Sequence, residues 1–269
     1  LCTLSPHEIE PLTSNQAPIV LAQAHSNIGL PDNLAPGNDR LGIMLPYTPL
    51  HHLLFSKQLD TLVMTSANFS EEPICIDNQE AADRLESMAD YYLLHDRDIY
   101  LRSDDSVVME MSDVVRPVRR SRGYAPRPIF LKSKGPTILA VGGELKNVVA
   151  LSKDKNVFLS QHIGDLENLE AYEFFQMTIE HLKRIFEIEP ELIVHDLHPE
   201  YLSTKWAKEQ VLPLMGVQHH HAHLAACMTE HNLDEPVIGV IMDGTGYGSD
   251  GTIWGGEFLV GDAKTFERK

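Results

Sequence analysis

Two segments, Gln218-His219-His220-His221-Ala222-His223 and Asp243-Gly244-Thr245-Gly246, determine the fold expected for the second half of the chain. A helix over the first segment would place His219 and His223 four residues apart and on one face. The hydrophobic run 237–242 predicts a strand that brings Asp243 to the head of a glycine turn. A helix followed by a strand is typical of an α/β fold.

The histidine cluster also predicts a metal site. Neutral imidazole and carboxylate groups are common ligands of divalent metals, and two imidazoles at this spacing can chelate one ion. We therefore predict His219, His223 and Asp243 as ligands, with His220 and His221 as supporting residues. The donor set suits zinc and iron about equally. The alternative is a polar helix end with solvated histidines.

Composition limits the classes of partner. The chain has 269 residues, enough for one large domain or two ordinary ones, and 43% of them are hydrophobic. A formal net charge of −17 argues against general nucleic-acid binding, which needs concentrated lysine and arginine. The basic segment Arg116–Arg122 is a local exception, and it suits a small phosphorylated ligand better than a polymer.

Cysteine usage and hydropathy predict a cytoplasmic protein. Cys2, Cys75 and Cys227 are odd in number and far apart, so a disulfide framework is not expected and a reducing compartment is favoured. No apolar stretch approaches membrane-spanning length, and no signal peptide is visible, so no membrane partner is expected. Because the first residue is leucine, we expect an interior piece of a longer protein.

The first half of the chain reads as an α/β domain. Strands are predicted over 18–22, 40–46, 61–65, 91–94 and 106–109, and helices over 51–55 and 78–88. The prolines and lysines of 126–136 predict an extended linker. This division places one domain over 1–130 and a second over 137–269.

The second half begins with a strand over 137–141. We predict a hairpin from 147–151 and 156–160, and a long helix over 170–186. The apolar face of that helix would comprise Phe174, Met177, Ile179, Leu182, Ile185 and Phe186. Further predictions are a strand over 191–194 and a helix from N-cap Ser203 to Gln210. Strands over 237–242 and 254–260 are predicted to flank a turn at Ser249-Asp250-Gly251.

Several polar segments are candidates for anion binding. The turn Thr65-Ser66-Ala67-Asn68 offers hydroxyls, an amide and backbone N–H groups, although without further context an ordinary polar turn is the commoner explanation of such a segment. The arginines of 119–122 can pair with the same oxygens, or can protect an exposed edge strand. Gly142-Gly143-Glu144 is a weaker phosphate-turn candidate, and His195–Tyr201 is a candidate for support of the metal site or for a simple helix cap.

Taken in order, these motifs resemble the HypF family of hydrogenase-maturation carbamoyltransferases. The first 130 residues are similar to a YrdC-like domain through 41–54, 65–74, 95–99 and 120–126. The remainder resembles the start of a second catalytic domain through 142–147, 161–167, 195–201, 219–223 and 243–248. The implied folds are a YrdC-like twisted mixed sheet with helices, followed by an actin-like or sugar-kinase-like (ribonuclease H-like) α/β domain.

The resemblance implies a two-step reaction with ATP and magnesium. Carbamate derived from carbamoyl phosphate would form carbamoyl adenylate in the YrdC-like domain. The second domain would pass the carbamoyl group to the C-terminal cysteine of the partner HypE, which supplies the cyanide ligands of nickel–iron hydrogenase. At the domain level, the YrdC-like part also implies an association with double-stranded RNA.

Site residues follow from the same resemblance. Those expected near the first nucleotide are Ser66, Asn68, Ser106, Arg120 and Arg122. Gly244, Thr245 and Gly246 are expected near phosphate, and His219, His223 and Asp243 around one divalent metal, zinc or iron. No protein nucleophile is assigned, which is consistent with a thiol delivered by the partner.

Two other functions remain open. A fused tRNA threonylcarbamoylation enzyme would normally carry Met-Glu-Gly between the two histidine ligands, where this chain has His220-His221-Ala222. A nucleotide- and metal-binding scaffold without turnover is the alternative from another class.

Overall fold

The computed structural model describes residues 1–25, 31, 33–69 and 72–269. It divides the chain into two compact units, Leu1–Arg127 and Pro128–Lys269. Each unit combines helices with β-sheet, which confirms the predicted α/β class. Ser70 and Glu71, in the motif that begins at Thr65, lie outside the described residues.

The first unit is built on a mixed five-stranded sheet. Its strands are β1 (Cys2–Thr3), β2 (Ile19–Ala24), β3 (Arg40–Ile43), β4 (Val107–Met111) and β5 (Val114–Arg119). Its helices are α1 (Pro6–Leu12), α2 (Pro49–Leu54) and α3 (Asn78–Arg84). Strand β2 pairs antiparallel with β1 and β3 and parallel with β4, so the sheet is mixed as predicted.

Alternation of side chains explains why β2 is central. Val20 and Ala22 point to one face and are fully buried, as a period of two requires. Val20 packs with Leu12 of α1 and Val108 of β4 in the core of this unit. Helix α1 is held at its start by a capping box between Ser5 and Glu8.

Two strands predicted for this unit are wrong. Residues 61–65 and 91–94 lie outside helices and strands, and Tyr91 is 93% exposed. Their apolar and aromatic residues favour extended backbone, but a strand also needs a partner with which to pair. Local composition alone could not supply that information.

The second unit contains two sheets and three helices. Its strands are β6 (Pro128–Gly135), β7 (Ile138–Ala140), β8 (Ala150–Leu159), β9 (Leu192–Asp196), β10 (Leu214–Val217), β11 (Val237–Tyr247), β12 (Ile253–Gly261) and β13 (Phe266–Arg268). Its helices are α4 (Leu169–Phe186), α5 (Leu202–Lys208) and α6 (His219–Glu230). One sheet has the order β10-β9-β7-β8-β6 and the other β11-β12-β13.

The larger sheet corrects two predictions. Most of the expected linker is strand β6, which pairs antiparallel with β8 and so belongs to the second unit. The expected hairpin is the single ten-residue strand β8, which continues through Asp154 in the left-handed conformation. In both places polar residues on an exposed sheet face resemble a loop in sequence, because only one face of this sheet has to be apolar.

Helix α4 covers the core of this unit. Asn168 caps its start, and Glu187 ends it in the left-handed conformation. Its buried face includes Phe174, Phe175, Ile179 and Leu182. Met177 and Ile185, which the sequence placed on that face, are exposed, and Phe175 takes their place against Trp206 of α5.

The smaller sheet is an antiparallel meander. The pairing of β11 with β12 shifts register between Met242 and Gly246. Asp243 therefore lies at a bulge inside β11, and the predicted glycine turn at 243–246 is wrong. The chain reverses between Gly248 and Thr252, where the Gly248 amide donates to the Thr252 carbonyl at 2.7 Å, and this confirms the predicted turn at Ser249-Asp250-Gly251.

Among the described residues, no helix combines the length and apolar character that crossing a membrane requires.

Candidate metal centre

The parallel strands of the larger sheet deliver three segments to one edge. Strands β7, β9 and β10 run parallel, so their carboxyl ends meet there. Strand β9 ends at Asp196, and β10 leads through Gln218 into helix α6. The Gln218 side chain caps α6 by accepting a hydrogen bond from the His221 amide at 2.8 Å. Such an edge is where α/β sheets usually bind ligands.

The predicted ligands come together at this edge. His219 Nε2 lies 2.8 Å from Asp243 Oδ2, and His223 Nε2 lies 3.3 Å from the same oxygen. The two Nε2 atoms are 3.3 Å apart. One ligand atom from each residue thus lies within 4.8 Å of the others. Two nitrogens and one oxygen converging in this way fit a divalent transition metal such as zinc or iron.

A second carboxylate orients His219. The Nδ1 atom of His219 donates to Asp196 Oδ2 at 2.6 Å, while Asp196 Oδ1 accepts from the His198 amide at 2.8 Å. Asp196 is buried, so its position is fixed. A carboxylate behind a histidine sets the tautomer and leaves the opposite nitrogen to bind metal.

The local charges shift the three pKa values in different directions. The hydrogen bond that His219 donates to Asp196 raises the pKa of His219, against the effect of burial. Burial lowers the pKa of His223, and the charge of His219 lowers it further. Burial raises the pKa of Asp243, but the neighbouring imidazoles and the Gly244 and Thr245 amides outweigh it and hold that pKa below its usual range. The cluster therefore presents a carboxylate at neutral pH.

The two glycines after Asp243 have different surroundings. A Cβ on Gly244 would meet nothing within 4 Å, so its backbone is open to a ligand. A Cβ on Gly246 would overlap the His220 ring, so close packing of α6 accounts for glycine there. The proximity of Gly244 and Thr245 to phosphate remains a prediction.

The turn after β7 borders the same cluster. A Cβ on Gly143 would lie 3.8 Å from His219 Cε1. Glu144 accepts a hydrogen bond from the Leu202 amide at 2.7 Å and so caps α5. Burial raises the pKa of Glu144 despite that hydrogen bond. Ser203, predicted as the cap, instead donates to the Gly142 carbonyl at 3.1 Å.

In the first unit, Ser106 and Arg122 lie together. The buried Ser106 hydroxyl donates to the Arg122 carbonyl at 2.9 Å and accepts from the Ser121 amide at 2.8 Å. The Arg122 guanidinium binds Asp105 at 2.7 Å and the Ala17 carbonyl at 2.8 Å, and it lies 3.9 Å from the centre of the Tyr47 ring. A nucleotide that binds Arg122 directly would compete with these partners.

The remaining predicted residues of this unit occupy loops. Arg120 donates to the Arg127 carbonyl at 2.9 Å. Asn68 donates to the carbonyls of Phe69 and Glu72, both at 2.8 Å. Ser66 is exposed in the same turn. The side-chain amide of Asn68 therefore already donates to two backbone carbonyls.

Three family models match successive parts of the chain. Residues 3–121 match the Sua5, YciO and YrdC family, described as "Telomere recombination". Residues 133–230 match the "HypF Kae1-like domain". Residues 239–269 match "Carbamoyltransferase, Kae1-like Domain, second subdomain".

Curated relatives cover nearly all of the chain. The carbamoyltransferase HypF of Synechocystis sp. is 49% identical over 263 residues, which are 97% of this chain and 34% of that protein. The HypF of Rhizobium leguminosarum is 42% identical over 98% of this chain and 36% of its own length. The chain belongs to the HypF family. It spans about a third of the length of these HypF relatives.

Solved HypF structures agree with this assignment. A full-length HypF described as phosphate- and nucleotide-bound has a TM-score of 0.91 and 50% identity, over 99% of this chain and 42% of that one. The HypF of T. kodakarensis has a TM-score of 0.93 and 42% identity, over 99% of this chain and 36% of that one. The expected order of a YrdC-like domain followed by a second α/β domain is thereby confirmed, and the matching family model describes the second domain as Kae1-like.

Sequence reasoning missed one residue of the site. It singled out the segment His195–Tyr201 for its histidines, whereas the structure gives Asp196 the direct contact with His219. The sequence pattern that could have indicated this contact is an aspartate, Asp196, at the last position of a buried strand, with a histidine-rich helix later in the chain.

Proposed function

We propose that the chain is part of an ATP-dependent carbamoyltransferase in which the two units carry successive steps. The first unit would bind ATP and carbamate derived from carbamoyl phosphate, and would release pyrophosphate and carbamoyl adenylate. The second unit would transfer the carbamoyl group to the C-terminal cysteine thiol of HypE, for cyanide synthesis in nickel–iron hydrogenase maturation. The observation that carries the proposal is the His219, His223 and Asp243 cluster in a chain of the HypF family.

The donor set of the second unit fits a divalent metal. Two imidazole nitrogens and a carboxylate oxygen converge, and Asp196 orients His219 from behind. When bound there, such an ion neutralises phosphate charge and polarises a carbonyl oxygen. The open backbone at Gly244 and the turn at Gly143 border the same space. The Gly244 amide already faces Asp243, so the Gly143 turn is the better candidate to hold phosphate oxygens through its backbone N–H groups.

The transfer step needs no nucleophile from this chain. The acceptor sulfur forms a bond to the carbamoyl carbon, and the bond from that carbon to the adenylate oxygen breaks. AMP leaves with the electron pair, and the thiol proton goes to solvent. The contribution of the chain is to orient the adenylate and to stabilise charge at the reacting carbonyl.

The proposal is tested with a chimaera in which this chain replaces the matching segment of the Synechocystis relative, since the chain alone spans 34% of that protein. We expect pyrophosphate release from ATP that depends on carbamoyl phosphate, followed by carbamoylation of HypE. The unmodified relative is the positive control.

Each other outcome contradicts the proposal in a distinct way. Release that depends on threonine and bicarbonate would indicate a tRNA threonylcarbamoylation enzyme. A folded chimaera that binds ATP and metal, yet releases no pyrophosphate in either mixture, would indicate a scaffold without turnover.

A further inference from the structure

Three consecutive histidines at the start of α6 point to three different partners. His219 lies between Asp196 and Asp243. His220 is fully buried, with Nε2 2.7 Å from the Gly255 carbonyl of β12. His221 Nε2 lies 2.8 Å from the Asp262 carbonyl, just beyond β12. Successive residues of a helix are turned by about 100°. One helical turn therefore contributes His219 to the metal cluster and contacts the smaller sheet through His220 and His221.

The hydrogen bonds around His220 define its tautomer. A backbone carbonyl only accepts, so His220 Nε2 carries the proton in its bond to Gly255. Gln218 uses its amide oxygen to accept from the His221 amide, which leaves its nitrogen facing His220 Nδ1 at 3.2 Å. The same Gln218 nitrogen lies 3.3 Å from the Tyr247 carbonyl of β11. In this network each N–H group therefore faces an acceptor, and no two donors face each other.

This network bears on the metal cluster because the ligands come from two elements. His219 and His223 belong to α6, whereas Asp243 belongs to β11. Their separation depends on how closely the helix approaches the sheet. The helix packs tightly on Gly246, where an added Cβ would overlap the His220 ring and lie 3.1 Å from His219 Cβ.

We propose that His220 is a positioning residue for the metal centre. It hydrogen-bonds helix α6 to Gly255 of β12 directly and to Tyr247 of β11 through Gln218. These hydrogen bonds hold His219 and His223 at binding distance from Asp243. The inference rests on the proposed metal centre, but it concerns a residue that points away from the ion. Loss of groups that orient metal ligands commonly costs about 10- to 100-fold in metal affinity.

The test is Co²⁺ titration of the metal-free chain, with the visible absorption of the bound ion as a reading of its coordination geometry. We expect His220→Leu to bind Co²⁺ about 10- to 100-fold more weakly than the wild type and with an altered spectrum. His220→Gln keeps an amide donor near Gly255, so its Co²⁺ affinity and spectrum should be closer to those of the wild type. Ile179→Ala, which removes buried atoms from α4 in the same unit, is the stability control and should leave affinity unchanged.

The outcomes separate this inference from the metal centre itself. Wild-type affinity and spectrum in His220→Leu would overturn the positioning role, while Co²⁺ binding by the wild type would still support the centre. Equal losses in Ile179→Ala and His220→Leu would also overturn it, because general stability would then explain both. If His220→Leu does not fold, His220→Asn replaces it, since the shorter amide reaches Gln218 but not Gly255.

Discussion

At the scale of single residues, His219 lies between two carboxylates with different roles. Asp196 is buried behind the ring and accepts from Nδ1, whereas Asp243 lies in front of Nε2 beside His223. Because the orienting carboxylate and the ligand carboxylate occupy opposite sides, their removal should have different effects on metal binding.

Removing a ligand should empty the site. We expect the wild-type chain to bind about one divalent ion, as a three-ligand site does, and His219→Ala or His223→Ala to lose it. His231→Ala, at an exposed histidine next to the end of α6, is the matched control and should retain the ion. Elemental analysis after dialysis measures the stoichiometry, and unchanged metal content in both ligand variants would refute the assignment.

Removing the orienting carboxylate should weaken the site without emptying it. We expect Asp196→Asn to reduce metal affinity about 10- to 100-fold, because an amide no longer fixes the His219 tautomer. Asp154→Asn changes an exposed aspartate that pairs with Lys134, and should have no effect. Competition against a chromogenic chelator gives the affinities, and equal values for the wild type and Asp196→Asn would show that Asp196 has no such role.

At the scale of elements, a bidentate ion pair joins β12 and β13. Arg268 Nε lies 2.7 Å from Glu257 Oε2, and Nη2 lies 2.6 Å from Oε1. The same guanidinium lies 4.3 Å from the centre of the Trp254 ring. Planar pairs of this kind are among the stronger hydrogen-bonded contacts, so this one should stabilise the sheet that carries Asp243.

The pair should make stability depend on pH in the acid range. The hydrogen bond from Arg268 lowers the pKa of Glu257 in the folded protein below its unfolded value of about 4.3. Its stabilisation is therefore present above that value and is lost as the pH falls through the lower, folded pKa. We expect Glu257→Gln to lower the melting temperature at pH 7 and to match the wild type at the lowest pH that both tolerate. A constant difference across the range would contradict this.

Helix α4 provides a test of which face is buried. Phe175→Ala should destabilise the second unit by about 3–5 kcal/mol, because it removes a fully buried ring that packs against Trp206. Met177→Ala, at a side chain that is 39% exposed, should cost about 0.5 kcal/mol or less. Urea unfolding measures both, and the reverse ranking would restore the apolar face expected from sequence.

At the scale of the whole molecule, the second unit holds every residue of the metal cluster and of its support. The fragment Pro128–Lys269 should therefore bind Co²⁺ as tightly as the complete chain. A fragment that starts at Thr137 lacks β6 and exposes the edge of β8, so it should be less stable and more prone to aggregate. Thermal unfolding with light scattering compares the two, and equal behaviour would show that β6 is dispensable.

Because the proposed function gives the two steps to different units, a change of a proposed metal ligand should separate them. In the chimaera, His219→Ala should leave pyrophosphate release intact and abolish carbamoylation of HypE. Loss of both steps would show that the metal centre is needed for adenylate formation, and retention of both would exclude it from the reaction.

The sequence alone determined the α/β class and the family, and it predicted which three residues form the candidate metal cluster. Four-residue spacing is a property of the helix itself, so His219 and His223 could be paired without knowing what packs around them. The motifs shared with HypF supplied the order of the two architectures, and the solved HypF structures confirm it.

The sequence named His220 and the segment His195–Tyr201 as candidate support, but only the tertiary structure decided which atoms they contact. Asp196 ends β9 and meets His219 because β9 and β10 run parallel, and His220 meets Gly255 because α6 lies against the smaller sheet. The single strand β8, the strand β6 and the bulge at Asp243 depend equally on partners distant in sequence. Hydrogen bonds between strands and across packed elements are long-range, so local composition carries little record of them.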